Sequence, residues 1–300
     1  MLTGLHLLLT YMCNSECDHC FVYSSPRARG TFTLKQIRQL LDEAEKIGTI
    51  EWIYFEGGEP FLFYPIMIEG IKLTRQRGFK AGIVTNSYFA TDPDDIETWL
   101  KPLGELGIAD FRVSNDPYHF DDADDNPAVH TQKVARKLNL PVADIHIESP
   151  SVIIDTPEDI NKGKPIIGGD IMFRGRAVEK LTADLPRRRW EEFTECPHEE
   201  LESPARVHLD SYGNVHLCQG VSMGNYRDTP LSELVKNYDA ASHPICGPLV
   251  KGGPALLARE YQVNHDDMFV DACHFCYLVR LALMDKFPQY LTPRQVYGLE

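Results

Sequence analysis

The chain has 300 residues, 43% hydrophobic and 25% charged, enough for one large domain or two smaller ones with a buried core. Its formal net charge of −14 speaks against a surface that tracks nucleic-acid phosphates. The longest apolar run, residues 5–9, is too short to span a bilayer and lacks the basic flank of a signal peptide. Eight cysteines without a secretory signal read as metal ligands or reactive thiols, so a cytoplasmic protein is expected, with no membrane or nucleic-acid partner.

Strands and helices alternate up to residue 177. Strands are expected at 5–12, 52–56, 79–85, 110–114, 144–148 and 169–173, from their apolar, β-branched and aromatic content. Leu34, Ile37, Leu40, Leu41, Ala44 and Ile47 recur at helical spacing, with Thr33 and Gln36 as a capping box and Gly48 as the stop. Further helices are expected near 65–77, 93–106 and 127–138, with Pro102 kinking or shortening the third. Such alternation predicts βαβ units and a parallel sheet. Cys13, Glu59, Asn86, Asn115 and Ser149 then fall at or just past strand C-termini, where parallel sheets place their chemistry.

From about residue 185 the pattern changes. Residues 206–209 and 215–217, joined by Asp210-Ser-Tyr-Gly213-Asn, read as a β-hairpin, with helices expected at 231–238 and 254–261. Arg187-Arg188-Arg189 reads as a solvated loop.

Three cysteines follow the first strand in the spacing C-x3-C-x2-C: Cys13, Cys17 and Cys20. Three thiolates can hold three irons of a [4Fe–4S] cubane and leave the fourth iron open. The same residues with His19 also suit zinc, and Cys17-x2-Cys20 alone suits a redox pair. Gly57-Gly58-Glu59-Pro60 follows the second strand. Together these motifs resemble the radical S-adenosylmethionine (radical SAM) superfamily.

The resemblance implies a partial (β/α)6 TIM-type barrel of α/β class over residues 1–184. It implies a [4Fe–4S] cluster on Cys13, Cys17 and Cys20, with SAM on the open iron. Gly57, Gly58 and Glu59 would meet the SAM amino group, Ser114 and Asn115 its ribose and carboxylate, and Tyr23 would wall the adenine pocket. Asp116, Tyr118 and His119 would look into the substrate pocket; the Ser-x-Asp-x-Tyr-His string is similar to one in radical SAM peptide epimerases. Arg174-Gly175-Arg176-Ala177 resembles a motif in which an arginine pairs with the SAM carboxylate.

Cys196, Cys218, Cys273 and Cys276, with Gly213 before Cys218, resemble the SPASM/twitch extension, which implies a small α+β domain over residues 185–300 holding a second, auxiliary [4Fe–4S] cluster. Four structural zinc ligands are the competing reading. Cys246 is left over, as a hydrogen donor, an alternative ligand or a core residue. The epimerases carry an extra cysteine beside the hairpin ligand, where this chain has Gln219 and Gly220.

The expected function is hydrogen abstraction from a C–H bond of a peptide, with electrons from a flavodoxin or ferredoxin. Residues 1–12 leave little room for a recognition module, so a peptide would dock on the barrel or on a separate recognition protein. A dehydrogenase of a small alcohol is the alternative within the family. A structural zinc or iron–sulfur protein is the alternative outside it.

Overall fold

In the computed structural model, which describes residues 1–153 and 166–299, the run of leucines after Gly4 forms β1 (Gly4–Thr10). Every residue of β1 except His6 is buried, as suits a strand covered on both faces. The chain then alternates through α1 (Leu34–Ile47), β2 (Trp52–Gly57), α2 (Tyr64–Gln76), β3 (Lys80–Thr85), α3 (Pro93–Leu106), β4 (Asp110–Ser114), α4 (Pro127–Lys137) and β5 (Val142–Ile145). A short hairpin follows, β6 (Ser151–Ile153) with β7 (Ile166–Gly168), then α5 (Arg176–Lys180) and β8 (Arg188–Arg189). The last third holds β9 (Arg206–Asp210), β10 (Asn214–Cys218), β11 (Val221–Asn225), α6 (Leu231–Asn237), α7 (Cys246–Tyr261), β12 (Met268–Phe269) and α8 (Ala272–Leu283).

The fold is α/β, built on one eight-stranded sheet of order β11-β10-β9-β1-β2-β3-β4-β5, and it is consistent with a partial TIM-type barrel. The strands β1 to β5 pair in parallel and in sequence. The expected sixth strand at 169–173 is not formed. Gly169 and Asp170 both have positive φ, +105° and +58°, which no strand tolerates. The sixth parallel strand is instead β9, which pairs with the opposite side of β1. The expected hairpin is present as β9–β10, but it extends the barrel sheet rather than standing apart from it.

The Thr33–Gln36 capping box closes α1 at its start, and Gly48 ends it in the left-handed region. Pro102 neither ends nor shortens α3, because Ile96, Leu100 and Leu103 are buried along the helix and outweigh one lost backbone bond. Two helical stretches escaped the sequence reading. The first half of α7 precedes a break at Gly252 and Gly253, and α8 carries Cys273 and Cys276 one turn apart. Among the described residues, no helix is long and apolar enough to cross a membrane.

Candidate active site

The C-terminal ends of β1 to β5 open onto a cavity of about 470 Å³. Its walls include Cys13, Cys17 and Cys20 after β1, Gly57 and Gly58 after β2, Asn86 after β3, and Ser114, Asp116 and His119 after β4. The strand-end placement read from the sequence thus brings these residues together.

The cysteine loop is pinned to the sheet by backbone. Gly58 N–H donates to Thr10 O at 2.7 Å and Glu59 N–H to Met12 O at 2.9 Å. A Cβ on Gly58 would stand 2.1 Å from Met12 O, so only glycine lets the two segments approach this closely. The sulfurs already receive donors: Ser15 N–H and Asn86 Nδ2 on Cys13 at 3.4 and 3.5 Å, and Ser24 N–H on Cys20 at 3.3 Å. Burial pushes the Cys13 thiol up to about 12, and the Cys20 thiol also rises for the same reason. Buried sulfurs that face N–H donors and share one cavity wall are a donor set suited to metal-bound thiolate, so the loop fits an iron–sulfur cluster.

Arg174-Gly175-Arg176 clamps this loop. Arg176 donates from N–H to Cys20 O at 2.9 Å, from Nη1 to Cys17 O at 2.8 Å and from Nη2 to Ser24 O at 2.7 Å. Gly175 has φ +62°, and a Cβ there would sit 2.5 Å from Cys20 O. Arg176 therefore has its guanidinium engaged by loop carbonyls, not turned to a ligand carboxylate. Arg174 Nη1 reaches Glu199 Oε1 at 2.9 Å and Cys218 Sγ at 3.0 Å.

Several expected contacts fall elsewhere. Tyr23 does not line the cavity; its ring packs on Gly298 and lies under the Arg176 guanidinium, because φ of +53° turns it toward the C-terminal segment. Glu59 is fully buried and points inward, accepting from Thr85 Oγ1, Asn86 N–H and Phe61 N–H at 2.9, 2.8 and 3.0 Å. Burial drives its carboxyl up to about 7 against those three hydrogen bonds. The cavity sees the glycines beside it, not the carboxylate. Asn115 accepts from Asn126 Nδ2 at 3.0 Å, and its carbonyl is held by His146, so it too is drawn off the wall. Tyr118 packs its ring on His19, 4.6 Å between centroids.

Asp116 and His119 do face the cavity, paired at 2.8 Å between Oδ1 and Nδ1. Burial alone would lower His119, but Asp116 and Cys17 raise it to about 10, while burial takes His19 down to about 4. The two imidazoles around the carboxylate are thus pulled in opposite directions, up at His119 and down at His19. Among the described residues, the buried Asp116 Oδ2 and His19 Nδ1 atoms meet no hydrogen-bond partner.

The sequence reading missed another part of the cavity wall. His6, Glu56 and His208 stand together there, from β1, β2 and β9. The available signal was a polar side chain inside otherwise apolar strands, His6 among leucines and His208 between Val207 and Leu209.

The second cysteine set also converges. Cys196, Cys218, Cys273 and Cys276 line one small space, with Arg174 and Arg280 beside them. Arg280 is 1% exposed, and among the described residues its hydrogen bonds go to Gln219 O, Cys276 O and Cys218 Sγ, not to a carboxylate. A buried guanidinium needs a counter-charge, which metal-bound thiolates would provide. Cys246 is fully buried at the start of α7, off both cavities, with burial pushing its thiol up to about 12. It sits as a small buried residue in the core, near the second cysteine set.

Comparison with known proteins agrees with this geometry. Residues 7–141 match the model of the Radical SAM superfamily, whose enzymes catalyse radical reactions with a [4Fe–4S] cluster and SAM. It is 29% identical over 254 residues to the "Putative peptide biosynthesis protein YydG" of Bacillus subtilis (strain 168), covering 85% of this chain and 72% of that protein. It is 28% identical over 178 residues to the tungsten-containing aldehyde ferredoxin oxidoreductase cofactor-modifying protein of Pyrococcus furiosus, covering 59% of this chain and 45% of that one. The fold matches the crystal structure of BtrN in complex with AdoMet and 2-DOIA with a TM-score of 0.50 at 17% identity, over 79% of this chain and 83% of that one.

Proposed function

We propose that this protein cleaves SAM reductively and uses the radical to take a hydrogen atom from a C–H bond of a peptide. The observation that carries the reading is the meeting of Cys13, Cys17 and Cys20 with Gly57, Gly58, Ser114, Asp116 and His119 in one cavity. The peptide substrate rests on the similarity to YydG, a peptide biosynthesis protein by name, over most of this chain.

Cys13, Cys17 and Cys20 would hold a cubane with one open iron, which would supply the electron and a seat for SAM. The chain's own residues do the rest. Gly57 and Gly58 leave the backbone open to a ligand. Ser114 offers a hydroxyl on the same wall, and Arg176 fixes the cysteine loop. His119, held by Asp116, keeps a proton at the cavity edge, and neutral His19 is placed to receive one. Residues 1–184 supply most of the catalytic unit in this reading, with β9 completing its sheet and His208 its cavity wall. Residues 185–300 are a twitch-like extension whose cysteines Cys196, Cys218, Cys273 and Cys276 hold an auxiliary [4Fe–4S] cluster. A flavodoxin or ferredoxin delivers the electron, and a separate recognition protein can present the peptide.

A second reading, oxidation of a small alcohol, draws on the carboxylate–imidazole set of Asp116, His119 and His19, which suits proton removal from a carbinol carbon's hydroxyl. One experiment tests the scheme. The anaerobically reconstituted protein should hold about eight irons per chain, two cubanes. Peptides encoded beside its gene, offered with SAM and reductant, should lose hydrogens or take up solvent deuterium. About four irons would remove the auxiliary cluster, and turnover of small alcohols alone would favour the second reading.

A further inference from the structure

The third wall of the cavity has a donor set that neither the cysteines nor the SAM-facing residues use. His6 Nδ1 lies 3.2 Å from Glu56 Oε2, and His208 Nε2 lies 3.1 Å from Glu56 Oε1. Each carboxylate oxygen has its own imidazole, and the ligand atoms of the trio lie within 4.8 Å of one another. Ligands about 2.0–2.1 Å from a shared ion stand about 2.9–3.4 Å apart in octahedral or tetrahedral geometry, and both imidazole–carboxylate spacings fall in that range.

The three side chains come from neighbouring strands, so the sheet holds them without help from a loop. His6 and His208 are register partners on β1 and β9, and Glu56 is on β2, which flanks β1 on the other side. Their orientation is fixed as well. The His6 ring stacks on Tyr54 with centroids 4.5 Å apart, and Gln219 Nε2 lies 3.4 Å from His208 Nε2, a position the amide must yield when that nitrogen takes an ion. Among the described residues, no lysine or arginine pairs with Glu56; its ion-pair contacts are the two imidazoles. Two imidazole nitrogens and one carboxylate oxygen form the donor set of open zinc and non-haem iron(II) sites.

We propose that His6, Glu56 and His208 bind one divalent transition-metal ion, Zn²⁺ or Fe²⁺, with its remaining coordination positions open to the cavity. An oxygen or nitrogen of the substrate would take an open position, orienting the substrate beside the cysteine loop. The site stands on the trio itself and does not depend on the peptide reading.

The test uses the cluster-loaded protein, dialysed anaerobically against Zn²⁺ and analysed for zinc and iron. Wild type should retain one equivalent of zinc per chain above its iron content. Glu56→Gln and His208→Gln should lose it with iron and sulfide unchanged; if either fails to fold, His6→Gln serves. Co²⁺ in place of zinc should give weak visible ligand-field bands without the intense thiolate charge-transfer band. No zinc uptake, uptake unchanged in all three variants, or uptake abolished by Cys273→Ala/Cys276→Ala instead would overturn the proposal.

Discussion

Arg174 Nη1 lies 3.0 Å from Cys218 Sγ, and Arg174 lines both the large cavity and the small space around the second cysteine set. The same guanidinium pairs with Glu199, both side chains at most 10% exposed. Arg174→Gln removes a positive charge and an N–H···S donor from the auxiliary site. If a cluster is bound there, its reduction potential should fall, because such donors raise it. The variant should also lose up to roughly 3 kcal/mol, since Glu199 is left with only Arg206, 3.9 Å away. Potentiometric titration and thermal unfolding read the two effects; an unchanged potential would detach Arg174 from the cluster.

Gly58→Ala tests how the cysteine loop is seated. The new Cβ would meet the Met12 carbonyl, which is backbone and cannot rotate away. The loop must shift, so the variant should lose about four irons and keep the auxiliary complement. Iron analysis after reconstitution decides it; a full iron count would mean the loop tolerates displacement.

Asp210 joins the hairpin to the barrel. It accepts from Tyr11 Oη at 3.0 Å, from Asn214 N–H and Nδ2 at 2.9 and 2.8 Å, and faces His216 at 3.2 Å. Burial would raise its carboxyl, but His216 and Asn214 outweigh burial and hold it below the usual value of 3.8. A depressed carboxyl stabilises the fold above its unfolded pKa and loses that contribution as pH falls through and below it. Asp210→Asn should therefore cost roughly 3 kcal/mol near neutral pH, with the gap to wild type narrowing below about pH 3.8. Denaturant unfolding across pH measures this, and a gap independent of pH would contradict it.

Cys246→Ala should leave iron content and any solvent-deuterium uptake into product unchanged, at a cost of about 1 kcal/mol for the small buried void. Loss of deuterium uptake would restore the thiol to the chemistry.

Much of the fold was legible because period and punctuation agree. The Thr33–Gln36 box, Gly48 and the leucine run of β1 each specify their element locally. The sixth strand failed because an apolar-looking stretch begins on two residues with positive φ, a tertiary turn that composition does not announce. The partner of β1 was hidden for a different reason: pairing with β9 joins residues about 200 apart. At the site, cysteine spacing and the double glycine carried over because backbone approach and ligand number constrain them. Direction did not carry over. Glu59, Asn115 and Tyr23 sit where the motif puts them in sequence, yet hydrogen bonds and φ turn their side chains away from the cavity. His6, Glu56 and His208 lie on three strands, so no local pattern unites them.

The central claim is radical cleavage of SAM at Cys13, Cys17 and Cys20. The most direct measurement is formation of 5′-deoxyadenosine by the reconstituted, reduced protein given SAM alone. Wild type should form it and Cys17→Ala should form none. An iron-loaded, reduced wild type that forms none, or a Cys17→Ala variant that forms as much, would contradict it.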